Sequence, residues 1–206
     1  MKSKLLLIIL CAAIILSASS VYAAANFSDL PETHWAFRSV STLVERGGIT
    51  GCPDGTFNPS GTITIAEFIK IAVGSTLGDA EPSNSHWASG YFDKAIEANI
   101  LESSELIQPD WDKAITRQQI AVIISRILDI VLGEYIAVPD RDEIIEKITD
   151  FNAVCPACRD SVIKVYSAGI ITGYDDGNFN GGNTATRAEA STMIVRMLDT
   201  SFRVVK

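Results

Sequence analysis

The stretch GIITGYDDGNFNGGNTATRAE, residues 169–189, decides the fold, because it joins a helix stop, a tight turn and a helix start. Gly169 tolerates the positive φ that ends a helix, and Asp176-Gly177 supplies a turn. Thr186 and Glu189 have the spacing of a capping box, in which each side chain accepts a hydrogen bond from the other residue's backbone N–H. The stretch therefore predicts a helix, an ordered loop and a second helix.

Related stretches occur twice upstream, so the chain consists of three repeats. Residues 48–67, GITGCPDGTFNPSGTITIAE, keep the glycines, the Asp-Gly turn and the capping box. The second copy is degenerate, with Gln108-Pro109-Asp110-Trp111 in place of the turn and Thr116-x-x-Gln119 as its capping box. The distance from the tryptophan to the capping threonine is 29 residues in both the first and the second copy.

Apolar residues at helical spacing flank each loop and predict an all-α fold with one shared core. We expect the first helices to end at Gly48, Asn99 and Gly169, and Phe57 and Phe179 to fold back onto the core. The predicted core positions of the first helices are Ala36, Val40, Leu43, Val44, Ala95, Ile96, Ile100, Val162, Ile163 and Val165. Those of the second helices are Phe68, Ile69, Ala72, Val73, Ile120, Ile123, Ile124, Ile127, Leu128, Ala190, Met193, Ile194, Met197 and Leu198.

The N-terminus and the net charge set limits on location and partners. Lys2 and Lys4, an apolar run from Leu5 to Leu16 and then small residues form the pattern of an export signal over residues 1–23. The apolar run is shorter than the ~20 residues that span a bilayer, so no membrane span is expected after cleavage. The net charge of −8 excludes a general electrostatic surface for nucleic acid or anionic membrane. Any bound anion requires a local site.

Metal and catalytic chemistry are not indicated by the residues. Cys155 and Cys158 have neither a second cysteine pair nor a nearby histidine, which disfavours zinc and leaves a local disulfide, two idle thiols or a redox role. Cys52 has no partner that the sequence can name. Because no paired carboxylates, nucleophile with base or metal cluster can be assigned, we predict no catalytic residues, no cofactor and no enzyme activity.

The combination of Phe-x-Asp, Trp, Gly-Ile-x-Gly, Asp-Gly-x-Phe-x-Pro and Thr-Arg-Ala-Glu resembles the S-layer homology domain. The resemblance extends from about Asn26 to Asp199. It implies a pseudo-threefold helical bundle of three helix-loop-helix repeats. The expected organisation is a signal peptide at 1–23, repeats at 24–78, 79–133 and 148–206, and a connector with a short helix at 134–147.

The resemblance also implies a function on the bacterial cell surface. Grooves between the repeats would bind a cell-wall-linked polysaccharide, often one bearing pyruvylated sugars, so that the protein is a secreted, non-covalent wall anchor. The alternative is a protein–protein adaptor or surface-layer component that keeps the fold without binding sugar, with another surface protein as its partner.

Two arginines are candidate ligand-binding residues. Arg117 and Arg187 directly follow the capping threonines, where they would lie beside free N–H groups at a helix N-terminus and hold a ligand carboxylate. The alternative for Arg187 is a surface ion pair. The first repeat has Ile65 at this position, so the three grooves are expected to be unequal.

Two aspartates and two tryptophans complete the candidate site. Asp29 and Asp150 match the family's early aspartate, which is associated with the groove; alternatively they cap the first helix or the loop. Trp35 and Trp87 would stack on a sugar face or be half-buried core aromatics.

Overall fold

The computed structural model describes residues 27–204, so the predicted signal peptide at 1–23 lies outside the described residues. Seven α-helices and no β-strands occur within residues 27–204, which confirms the all-α prediction. The helices are α1 Phe37–Glu45, α2 Ile65–Leu77, α3 Ser89–Glu97, α4 Arg117–Arg126, α5 Arg141–Lys147, α6 Arg159–Ser167 and α7 Arg187–Leu198. Helix α4 continues as a π-helical segment, Ile127–Val131.

All three predicted capping boxes are present, at the starts of α2, α4 and α7. Thr186 Oγ1 accepts the Glu189 N–H at 3.2 Å, and the Glu189 carboxylate accepts the Thr186 N–H at 2.9 Å. Thr64 with Glu67 and Thr116 with Gln119 make the same reciprocal pair. These bonds fix where each second helix begins.

The first helices end in Schellman motifs, whose left-handed residues are Gly47 (φ 70°), Asn99 (φ 58°) and Gly169 (φ 67°). The prediction of Gly48 for the first repeat was therefore wrong by one residue. Gly47 donates its N–H to Val44 O, and Gly48 donates to Leu43 O, so Gly48 is the second residue of the motif. Because Gly47 and Gly48 are adjacent and both tolerate a positive φ, the sequence alone could not show which of them is the left-handed residue.

The predicted core is buried at nearly every position, including Phe57 and Phe179, which fold back as expected. Ile96 is the exception, with 37% of its surface exposed, because the buried face of α3 runs through Ser89, Phe92 and Ala95. Val44 and Leu198 are partly buried. In the degenerate second loop, Gln108–Asp110 forms a 3-10 turn, and the Trp111 ring stacks on Phe92.

Backbone hydrogen bonds join the three repeats in a closed cycle next to the capping threonines. Ile63 N–H donates to Ala185 O at 3.2 Å, Ala185 N–H to Ile115 O at 3.0 Å, and Ile115 N–H to Ile63 O at 3.0 Å. The second helix of each repeat packs on the first helix of the next, in the pairs α2–α3, α4–α6 and α7–α1. This cycle agrees with the predicted pseudo-threefold arrangement, whose symmetry stays a prediction.

The connector contains the expected short helix, α5. Its N-cap is Asp140, whose side chain accepts the Glu143 N–H at 2.9 Å. Helix α5 packs against α6 and so covers the outside of the third repeat.

Candidate binding grooves

The N–H groups at the starts of the second helices are already bonded. Arg187 N–H donates to Gly61 O at 2.8 Å, and the next N–H, of Ala188, donates to Pro59 O. Arg117 N–H likewise donates to Asn183 O at 2.9 Å. The expectation of free N–H groups at these helix ends was wrong, because the loop of a neighbouring repeat covers each helix start.

The side chains of Arg117 and Arg187 bind the same loops through two carbonyl groups each. Arg117 Nε donates to Phe179 O at 2.9 Å and its Nη2 to Thr172 O at 3.1 Å. Arg187 makes the equivalent bonds to Phe57 O and Thr50 O, at 2.9 and 3.1 Å. We call each arrangement an arginine clasp. It joins two repeats and was not foreseen from the sequence.

Both clasp arginines are largely buried, with 3% of the Arg117 side chain and 11% of the Arg187 side chain exposed. Each also faces the carboxylate of a capping box. Arg117 Nη1 lies 3.5 Å from Glu189 Oε1, and Arg187 Nη1 lies 3.4 Å from Glu67 Oε1. Arg187 therefore makes the ion pair of the alternative, with Glu67, but its own side chain is largely buried. Direct ligand contact by either arginine stays a prediction.

Asp29 and Asp150 hold the loops within their own repeats. The Asp150 carboxylate accepts the Phe179 and Asn180 N–H groups at 2.6 and 2.8 Å. Asp29 accepts the equivalent N–H groups of Phe57 and Asn58. These bonds show that the two aspartates hold the loops and do not cap the first helix, while their part in the groove stays a prediction.

Trp35 and Trp87 lie at the surface just before α1 and α3, with 63% and 45% of their surfaces exposed. The half-buried core alternative is therefore wrong for Trp35. Each ring stacks on the preceding histidine, His34 or His86. The histidine covers part of each ring, and much of the remaining ring surface is exposed to solvent.

Trp35 forms one wall of a cleft of about 250 Å³, here called the Trp35 groove. The rest of the cleft comes from the second and third repeats, so the groove lies where all three repeats meet. Its other lining residues are Arg117, Ile170, Ile171, Thr172, Gly173, Tyr174, Glu189, Thr192, Met193 and Arg196.

A coupled polar cluster occupies the floor of the Trp35 groove. Tyr174 O–H donates to Glu189 Oε1 at 2.6 Å, and the Arg117 guanidinium lies 4.6 Å from the Tyr174 ring centroid. Burial and the bond to Glu189 raise the pKa of Tyr174 to about 12. Burial alone would raise the pKa of Glu189, but the Thr186 N–H, the Tyr174 hydroxyl and Arg117 outweigh it and lower this pKa. Glu189 is therefore an anion and Tyr174 a neutral donor at neutral pH.

Tyr174, Thr192 and Arg196 were missed by the sequence analysis. Thr192 is 7% exposed, and its hydroxyl has no hydrogen-bond partner within residues 27–204. Arg196 follows one turn later and donates Nη1 to Ile170 O at 3.3 Å. A signal for Arg196 was present, because it follows its capping-box glutamate by seven residues, as Arg126 follows Gln119.

A second groove, of about 300 Å³, lies between the second and third repeats and is here called the disulfide groove. Cys155 and Cys158 are bonded to each other, which confirms the local disulfide among the alternatives, and Cys52 has no disulfide partner within residues 27–204. Cys155 N–H donates to the Gln118 side chain at 3.1 Å. The groove is lined by Leu101, Glu105, Leu106, Gln119, Val122, Ile123, Arg126, Cys155, Ala157 and Cys158.

A third cleft, of about 230 Å³, lies against α2 and includes Gly48, Lys70, Ile71 and Gly74. Within residues 27–204, no group of three or more His, Cys, Asp or Glu side chains is arranged to hold a metal ion. In the same range, no helix has the length and apolar character needed to cross a membrane.

Comparison with known proteins identifies relatives that are named for S-layers and for cellulosome anchoring. The chain is 35% identical over 85 residues to S-layer protein EA1 of Bacillus anthracis, covering 37% of this chain and 10% of that protein. It is 28% identical over 118 residues to a cellulosome-anchoring protein of Acetivibrio thermocellus, covering 50% of this chain and 26% of that protein.

An enzyme is also among the relatives, and all of these proteins are much longer than the matched segment. An endoglucanase of Bacillus sp. (strain KSM-635) is 26% identical over 179 residues, covering 84% of this chain but 18% of the enzyme. The family match itself comprises two segments that contain the first and third loops with their capping boxes. Residues 26–69 and 147–191 match the S-layer homology domain.

Proposed function

We propose that this protein is a non-covalent cell-wall anchor that binds an anionic, wall-linked polysaccharide in the Trp35 groove. The observation that carries this proposal is the exposed Trp35 ring beside a cleft lined by Arg117, Tyr174 and Arg196. The S-layer homology segments and the relatives named for S-layers and cellulosome anchoring support attachment at the cell surface.

In this proposal, the ring of Trp35 stacks on a sugar face while buried donors bind its polar substituents. Arg117 holds the groove wall at Thr172 through its clasp and contributes positive charge. Arg187 makes its clasp with Phe57 and Thr50, outside the lining of this groove. Asp29 and Asp150 keep the loops in place. A pyruvylated sugar suits the groove because its carboxylate supplies the negative charge that a guanidinium binds best.

A local cationic site also explains how a chain with a net charge of −8 can bind an anionic polymer. The guanidinium groups lie in a partly closed cleft, where the effective dielectric constant is lower than in water. Attraction there outweighs the repulsion from distant surface carboxylates, which salt screens.

The adaptor alternative is favoured by one observation, the largely apolar lining of the disulfide groove, which would suit a protein partner better than a sugar. The endoglucanase relative extends far beyond this segment, so the activity in its name does not transfer to this chain.

Sedimentation with purified walls tests the proposal. We expect the protein to pellet with walls that retain their non-peptidoglycan polymer and to stay in solution with stripped walls. Trp35→Ala should reduce pelleting, and Tyr135→Ala, which removes an 88% exposed aromatic in the connector, should not. Equal pelleting of the wild type with the two wall preparations, or equal pelleting of Trp35→Ala and Tyr135→Ala, would contradict the proposal.

A further inference from the structure

The same helix position is occupied by Arg196 in the third repeat and by Arg126 in the second. Each lies seven residues after its capping-box residue. Arg126 Nη1 donates to Ile100 O at 2.9 Å, and Arg196 Nη1 donates to Ile170 O at 3.3 Å. Because Ile100 and Ile170 both directly follow the left-handed residue of a Schellman motif, the two arginines have equivalent backbone partners.

The two arginines differ in their counter-charge. Glu105 neutralises Arg126 through two hydrogen bonds, at 2.6 and 3.1 Å, in the geometry of a bidentate carboxylate. Within residues 27–204, Arg196 has no carboxylate oxygen within 4.0 Å. Its pKa is lowered by burial, and no neighbouring acid offsets this effect.

An uncompensated, partly buried guanidinium is costly, because desolvation weakens its interaction with water without supplying a partner. An external anion would offset this cost if it bound Arg196 in the way that Glu105 binds Arg126. Thr192, with its unpaired hydroxyl, lies one helical turn before Arg196 on the same groove wall.

We infer that Arg196 is the anion-binding residue of the Trp35 groove, and that Glu105 occupies the equivalent anion site in the disulfide groove from within the chain. The inference rests on the proposed function and adds the contact that selects an acidic sugar. It also assigns Arg117 a different part, since its two carbonyl bonds and Glu189 already surround that guanidinium.

The test uses two probes, a pyruvylated methyl hexoside and its uncharged methyl ester, titrated calorimetrically into the protein. Wild type should prefer the acid over the ester by roughly ten- to hundredfold, the value of one charge-assisted hydrogen bond. Arg196→Gln should abolish this preference, and Arg196→Lys, which keeps the charge, should retain part of it.

Arg126→Gln is the matched control, because it removes an arginine from the same helix position and the same type of carbonyl bond. It should leave the preference for the acid unchanged. Equal preference in wild type and Arg196→Gln, no preference in wild type, or equal losses in the two Gln variants would overturn the inference.

Wall sedimentation separates this inference from the proposed function. If wild type pellets with polymer-bearing walls but does not distinguish acid from ester, the anchor function stands and the Arg196 site is wrong. If wild type does not pellet with walls, the proposed function fails, and the acid preference still decides whether an anion site exists.

Discussion

Arg117 and Arg187 follow the capping threonines of two repeats and have the same structural role in both. Each arginine begins a second helix and binds two loop carbonyls of the next repeat in the cycle. The first repeat has Ile65 there, and the loop it would reach is the degenerate one, which lacks Asp-Gly-x-Phe. The arginine and the loop that it would bind have therefore changed together, and no arginine clasp joins the first repeat to the second.

The clasp makes Arg117 a stability residue, whatever its part in binding. Arg117→Ala leaves Phe179 O and Thr172 O without these donors and the Glu189 carboxylate without its cation. We expect a loss of about 3 kcal/mol in the free energy of unfolding, measured by urea denaturation.

Arg141→Ala is the control for the clasp, because Arg141 pairs with Asp160 while 52% and 85% of their side chains are exposed. Its loss should cost less than about 1 kcal/mol. Similar urea midpoints for Arg117→Ala and wild type would show that the clasp contributes nothing to stability.

The Cys155–Cys158 bond closes a very short loop, so its contribution to stability is small. Replacing both cysteines by serine should cost about 2 kcal/mol or less on the chain-entropy estimate. Wall binding should persist, because the disulfide lines a different groove from Trp35. Wall binding lost in a variant with a native circular dichroism spectrum would instead place the ligand in the disulfide groove.

At this scale, the sequence indicated residue types better than residue roles. It gave the capping threonines directly, since their partners lie three residues away. It could not give the clasp, because Arg187 and Thr50 are 137 residues apart and meet only through the cycle of repeats. The role of Arg196 was hidden for the same reason, since only the fold shows that no carboxylate within residues 27–204 reaches it.

The elements were the most predictable level of the structure. Capping boxes and helical apolar spacing placed all three second helices, since both signals are local. The errors at Gly48 and Ile96 arose where packing chose between adjacent candidates. Grooves between the repeats were expected from the family resemblance, but the residues that line the disulfide groove were not, because they come from two different repeats.

The capping boxes should give the helix starts different responses to pH. Glu189 has a lowered pKa in the folded state, so its ionised form stabilises the fold above its ordinary value of 4.5. This contribution is lost as the pH falls through the lowered pKa. Gln119, the equivalent residue of α4, does not titrate.

Glu189→Gln should therefore reduce stability at pH 7 and lessen the fall in melting temperature between pH 7 and pH 3. The reason is that an amide keeps an acceptor for Thr186 N–H but cannot neutralise Arg117. Thermal melts at both pH values measure the difference. A melting temperature that falls equally in both proteins would mean that Glu189 is not coupled to folding.

At the scale of the whole molecule, the repeats are not separate domains. The three-way cycle of Ile63, Ile115 and Ala185 bonds needs all of them. Helix α1, near the start of the described chain, packs on α7 near its end. Helices of 9 to 13 residues, such as α1 and α2, are marginal alone and depend on this packing.

Cutting the chain in its connector tests this interdependence. Fragments 24–133 and 134–206 each lack partners for the cycle, so each alone should show little helical circular dichroism. Mixed in equal amounts, they should recover the helical signal and elute as one complex, because packing and hydrogen bonds on both sides of the cut, such as the three-way cycle, hold the two fragments together. A full chain nicked by a protease site inserted near Tyr135 provides the control and should stay folded. Independent folding of 24–133, with a cooperative thermal transition, would show that the first two repeats form a stable fold without the third.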